Sequence, residues 1–83
     1  MTFTAVPKIV RTNETSKLIW NVYGRTGCTI ARKATNADSS TVSRSTGERD
    51  TEPLTGETTY KLSCTDGSSA ETTIKVLPVI SET

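Results

Sequence analysis

The sequence predicts an all-β fold, a thin two-sheet sandwich of about seven short antiparallel strands. Three observations carry that prediction. Apolar residues alternate in short runs: Leu18, Trp20 and Val22 in one, Tyr60, Leu62 and Cys64 in another. Residues two apart in a strand share a face, so each set points one way, and no useful stretch repeats apolar residues at i, i+3, i+4 and i+7. Second, 17 of the 83 residues are threonine and 9 are serine. Threonine is β-branched and polar enough to face water, which suits sheets with one wet face. Third, the two cysteines, Cys28 and Cys64, each fall in a strand-like run, and the chain has no histidine.

The elements follow in order. A first strand spans about residues 2–10 and is interrupted by Pro7, which marks an edge strand or a switch between sheets. Asn13-Glu14 makes a turn, and residues 16–23 form the second strand. Gly24-Arg25-Thr26-Gly27 is a glycine-bounded loop. Residues 28–33 make the third strand and residues 34–40 a polar loop. A weak strand near 41–44 leads to a Thr46-Gly47-Glu48-Arg49 turn. Residues 50–54 form a short strand frayed by Pro53. Residues 58–65 form the next strand, Asp66-Gly67 a tight hairpin turn, and residues 70–77 the last strand, with Ile74 and Val76 inward. The domain covers residues 1–78, and residues 79–83 read as a linker or tail.

An 83-residue chain is one domain with a marginal core. Two thiols cannot complete a four-ligand zinc site, and Cys-x-x-Cys is absent. A structural Cys28–Cys64 disulfide is the leading reading, with Cα atoms roughly 4.4–6.8 Å apart; two buried free thiols of a reducing compartment are the alternative. One core holding Trp20, Tyr60, Leu54, Leu62 and a disulfide describes an immunoglobulin-like Greek-key sandwich. Trp20 is expected to be nearly fully enclosed and to touch the disulfide. The Leu54-to-Tyr60 spacing matches a tyrosine corner, in which the phenol bonds backbone a few residues upstream; the expected partner lies within residues 54–57.

The segments Leu18-Ile19-Trp20, Cys28-Thr29-Ile30, Pro53-Leu54, Thr58-Thr59-Tyr60 and Leu62-Ser63-Cys64 resemble the bacterial immunoglobulin-like repeats of large surface proteins, over about residues 7–76. Such repeats carry a Leu-x-Trp strand, a Cys-Thr strand and a Thr-Thr-Tyr-x-Leu-x-Cys strand. The resemblance implies a stalk, spacer or adhesion role, usually in tandem copies, and supplies no catalytic residues. Unlike antibody domains, this chain places the tryptophan on the second strand and a cysteine on the third, so the bridge is expected within one sheet or across its face.

The residues exclude most other function classes. Without histidine there is no Ser-His or Cys-His dyad. Glu48, Asp50 and Glu52 read as a solvated face. Gly24 and Gly27 flank a turn rather than a phosphate-binding strand-to-helix junction, and Asn36-Ala37-Asp38 is too sparse for a calcium loop. Catalytic, cofactor and metal sites are therefore all expected to be none. The net charge of +1 draws the chain to neither nucleic acid nor anionic lipid, and nothing approaches a membrane span. The first residues lack the regions of a signal peptide, so export relies on an upstream signal or on another route. Arg25, Arg32, Lys33, Arg44 and Arg49 are candidates for one anion or glycan patch, with Tyr23 turned outward beside it. Asn13-Glu14-Thr15 is a glycosylation sequon. Lys17, Lys61 and Lys75 fall at outward positions, unsuited to an isopeptide staple.

The expected function is a non-catalytic spacer or presentation module, extracellular, on a cell surface or on a virion. Its expected partners are neighbouring domains of a larger protein or a virion surface, and the isolated domain is expected to be monomeric. A phage capsid decoration or tail protein is one rival reading. A glycan- or protein-binding adhesion module is the other.

Overall fold

The computed structural model describes residues 1–36 and 38–78. Among them the regular structure is β throughout. The strands are β1 (Thr2–Val6), β2 (Ile9–Arg11), β3 (Lys17–Asn21), β4 (Cys28–Arg32), β5 (Ser40–Val42), β6 (Thr46–Asp50), β7 (Thr58–Ser63) and β8 (Ser69–Leu77). They form two facing sheets: three strands in the order β1-β3-β6 and five in the order β2-β8-β7-β4-β5.

Pro7 divides the first run between the two sheets. It has no N–H to continue a ladder, and its carbonyl instead accepts the Ser16 hydroxyl at 2.6 Å. β1 pairs antiparallel with β3, whereas β2 crosses to the other sheet and lies parallel to β8. The other pairings are antiparallel.

The alternating runs face the core as their parity requires. Leu18, Ile30, Leu54, Tyr60, Leu62 and Ile74 are all at most 1% exposed. Phe3, Ala5, Val10, Val22 and both cysteines complete the cluster. Burying a large apolar side chain stabilises by about 1.5–3 kcal/mol relative to leaving it in water, which is considerable for a chain this short.

Three elements depart from expectation. Thr46-Gly47-Glu48-Arg49 is not a turn but most of β6, held by its ladder to β3. Residues 50–54 form no strand beyond the end of β6, and Leu54 makes only an isolated bridge with Glu14. Trp20 is partly buried rather than fully enclosed. Its ring lies over its cross-strand partner Gly47, where an added Cβ would sit 2.7 Å from Trp20 Cζ2. The ring thus takes the place of the missing side chain. Its buried Nε1 has no hydrogen-bond partner among the described residues.

The hairpin from β7 to β8 has a three-residue loop, Thr65-Asp66-Gly67. Gly67 N–H donates to the Cys64 carbonyl at 3.1 Å, and Cys64 N–H to the Ser68 carbonyl at 2.9 Å. Gly67 takes φ +91°, the left-handed position that such a loop requires.

Candidate functional site

The registers give the sandwich two distinct ends. Thr2, Asn21 and Thr46 are aligned at one end of the three-stranded sheet. Thr29, Ser63 and Ser69 are aligned near the corresponding end of the other. The disulfide closes this end. Cys28 and Cys64 are bonded, with Cα atoms 3.9 Å apart. That is below the expected range and below the about 4.5–5.5 Å of directly opposed strand residues, although the two cysteines face each other one rung beyond Thr29 and Ser63. The bridge joins adjacent strands within one sheet.

Beside it lies a cleft of about 250 Å³ lined by Val22, Arg25, Thr26, Gly27, Cys28, Val42, Ser43, Arg44 and Ser45. Its walls are tied in place. Val22 N–H donates to the Ser45 carbonyl at 2.6 Å, and the Thr65 hydroxyl donates to the Thr26 carbonyl at 3.0 Å. Gly27 takes φ +62°, and a Cβ there would meet the Thr65 side chain at 2.5 Å, so only glycine lets the loop lie this close. Arg25 Nη1 donates to Asp66 Oδ2 at 2.7 Å and also to the Ser68 hydroxyl. The Ser68 backbone N–H first, then the Ser68 hydroxyl and Arg25, hold the Asp66 carboxyl below the usual range.

The other end holds a polar cluster between the sheets. The Tyr60 hydroxyl donates to Asp38 Oδ2 at 2.8 Å. Arg49 Nη1 donates to Asp38 Oδ1 at 3.1 Å, and Arg49 Nη2 to the Asp38 carbonyl at 2.8 Å. The Asp38 and Arg49 side chains are only 11% and 23% exposed. Arg49 is paired with inward Leu18, and Arg32 with inward Tyr60, so both arginines point between the sheets. Arg32 lies 6.0 Å from the Tyr60 ring centroid, at the limit of a cation–π contact, and 3.8 Å from Glu52. Burial raises the Tyr60 phenol above its usual range, and the Asp38 hydrogen bond raises it further against the opposing pull of Arg32. The Tyr60 hydroxyl in turn raises the Arg32 pKa, against the effect of burial.

This cluster corrects the tyrosine-corner expectation. The Tyr60 ring is buried, but its hydroxyl bonds a side chain in the β4–β5 loop rather than backbone at residues 54–57. A buried phenol needs a partner, and Asp38, itself fixed by Arg49, provides a charged one. Asp38 had no signal in the sequence beyond its place in a polar loop.

The basic residues do not gather into one patch. Arg25 and Arg44 line the disulfide-end cleft. Arg32 and Lys33 line a separate cleft of about 490 Å³ with Ala34, Thr35, Glu57, Thr58 and Thr59. Arg49 is turned inward. Tyr23 stands 84% exposed just past β3, and Asn13 is exposed in its turn. Glu48, Asp50 and Glu52 are exposed, with Glu48 in an ion pair to Lys17 at 3.5 Å. Among the described residues no three His, Cys, Asp or Glu side chains gather as metal ligands, and no helix is long and apolar enough to cross a membrane. No protein-family model matches the chain, and no curated protein or solved structure matches it.

Proposed function

We propose that the protein is a non-catalytic structural module of immunoglobulin-like type, a spacer or presentation domain of an extracellular or cell-surface protein. The carrying observation is the route of the chain. β1 starts at the disulfide end, and β8, whose nine residues span about 30 Å, finishes at the other. Tension applied through these strands slides β1 along β3 and β2 along β8. In both pairs several hydrogen bonds are loaded together in shear rather than opened one at a time. The disulfide keeps the segment between Cys28 and Cys64, 36 residues apart in sequence, outside the path of extension and suits an oxidising compartment. The Asp38, Arg49 and Tyr60 groups are committed to one another, as a structural cluster requires and a catalytic one does not.

Single-molecule stretching between handles at the two ends tests the reading. The expected record is one sharp unfolding event whose length gain is shorter by about 120–130 Å when the bridge is intact, at 3.3–3.6 Å per residue. Gradual extension at low force, without a resolved event, would overturn it.

A further inference from the structure

We propose that the disulfide-end cleft is a binding subsite for an acidic saccharide, receiving one sulfate or carboxylate group of a sugar. The cleft's lining holds two arginines and no carboxylate. The larger cleft at Arg32 contains Glu57 in its lining, whereas the carboxylate paired with Arg25, Asp66, lies outside the lining of this one. Among the described residues no carboxylate lies within ion-pair distance of Arg44. Among the described residues Arg25 uses only Nη1 of its guanidinium, which leaves Nε–H and both Nη2 hydrogens to donate outward. Asp66 and the Ser68 hydroxyl hold that guanidinium through Nη1. Both cationic walls are therefore unneutralised or pre-positioned, and pre-positioning lowers the entropic cost of binding.

The rest of the cleft favours a sugar over an acidic peptide. Thr26, Ser43 and Ser45 line it, and the half-buried Val42 adds apolar surface. Adjustable hydroxyls and a small apolar patch suit a ring bearing several hydroxyls of its own. At about 250 Å³ the cleft lies below the range that encloses drug-sized ligands, so it takes one ring and leaves the remainder outside. Tyr23, 84% exposed, lies on the loop whose residues 22 and 25–27 line the cleft, and the proposal assigns it to an adjoining ring. This subsite is independent of the spacer reading and stands whether or not that reading does.

The test is an NMR titration of the whole chain with five probes: a sulfated disaccharide, a uronate disaccharide, the neutral disaccharide of the same backbone, a hexapeptide of glutamate, and inorganic sulfate. Saturable amide shifts confined to residues 22–28 and 42–45 are expected with the sulfated or the uronate probe, and the tighter of the two identifies the acidic group. Arg44→Ala, which removes a side chain with no ion-pair partner among the described residues, should weaken that binding about tenfold with an unchanged melting temperature, as loss of one charged hydrogen bond does. Tyr23→Ala should weaken the disaccharide but not inorganic sulfate. The proposal is overturned if neither acidic saccharide gives saturable shifts, if the neutral disaccharide or the glutamate peptide binds as tightly, or if the shifts map to the Arg32–Thr59 cleft.

Discussion

Replacing Gly47 with alanine tests the packing that makes β6 a strand. The added Cβ would lie 2.7 Å from Trp20 Cζ2 and 3.0 Å from Cε2, whereas carbon atoms rest about 3.5–4.0 Å apart. The indole must therefore move by roughly 1 Å, or the edge strand must bend away. Overpacking of this kind costs about 1–3 kcal/mol. Removing the glycine's backbone freedom in the unfolded chain offsets about 0.5–1 kcal/mol, which at the middle of the two ranges leaves a net loss of about 1–2 kcal/mol. For a domain this small, that lowers the melting temperature by roughly 5–15 °C. Thermal unfolding followed by circular dichroism gives the shift, and the fluorescence of Trp20, the chain's one tryptophan, reports the ring's displacement. In a Trp20→Leu background the Gly47→Ala penalty should largely disappear, a coupling expected of groups in contact. The reasoning fails if Gly47→Ala is as stable as the parent, or if its penalty is unchanged when the indole is gone.

Three further outcomes are expected. Asp38→Ala strands both the Tyr60 hydroxyl and Arg49 and should cost about 3 kcal/mol in urea unfolding, with Asp38→Asn losing less because it still accepts a hydrogen bond; equal, negligible losses would remove the cluster from the stability account. The Tyr60 pKa is raised in the folded state, so its contribution is complete below about pH 10 and fades as pH climbs through the higher folded value; alkaline titration of stability should therefore be flatter for Tyr60→Phe than for the parent. Reducing the Cys28–Cys64 bridge should cost about 3–4 kcal/mol by the loop-closure argument, read as a lower urea midpoint, and an unchanged midpoint would mean the bridge constrains little.

Parity and turn chemistry made much of the fold legible. Leu18, Tyr60, Leu62 and Ile74 point inward as alternation requires, and Pro7 is where the chain changes sheets. The strand β6 was not legible because it has no apolar residue: its two inward positions hold Gly47, which yields to Trp20, and Arg49, which bonds Asp38. Thr-Gly-Glu-Arg-Asp reads as a turn until its register against β3 is known. The polar cluster was hidden for a related reason. Inward arginines look like surface residues until the loop carboxylate that satisfies them is placed, and Asp38 reaches Tyr60 across 22 positions of sequence. The even scatter of basic residues likewise concealed that Arg25 and Arg44 share one cleft.

The crossing of the first run from one sheet to the other bears on how the chain folds as it is made. The three-stranded sheet has all its members once Asp50 has emerged, because β1, β3 and β6 all lie before that point. β2 is synthesised before every strand but β1, yet its partners Lys75, Val76 and Leu77 each follow their β2 partner by 66 residues. Until they arrive, Ile9, Val10 and Arg11 have no ladder to join, and the flank of the core that Val10 closes stays open to water. Pairings of such long sequence separation form slowly, and an unfilled edge is where nascent chains associate wrongly. A ribosome stalled shortly after Asp50 should therefore present a half-built sandwich whose β2 segment is cut by protease, and a stall well beyond β8 should find that segment protected.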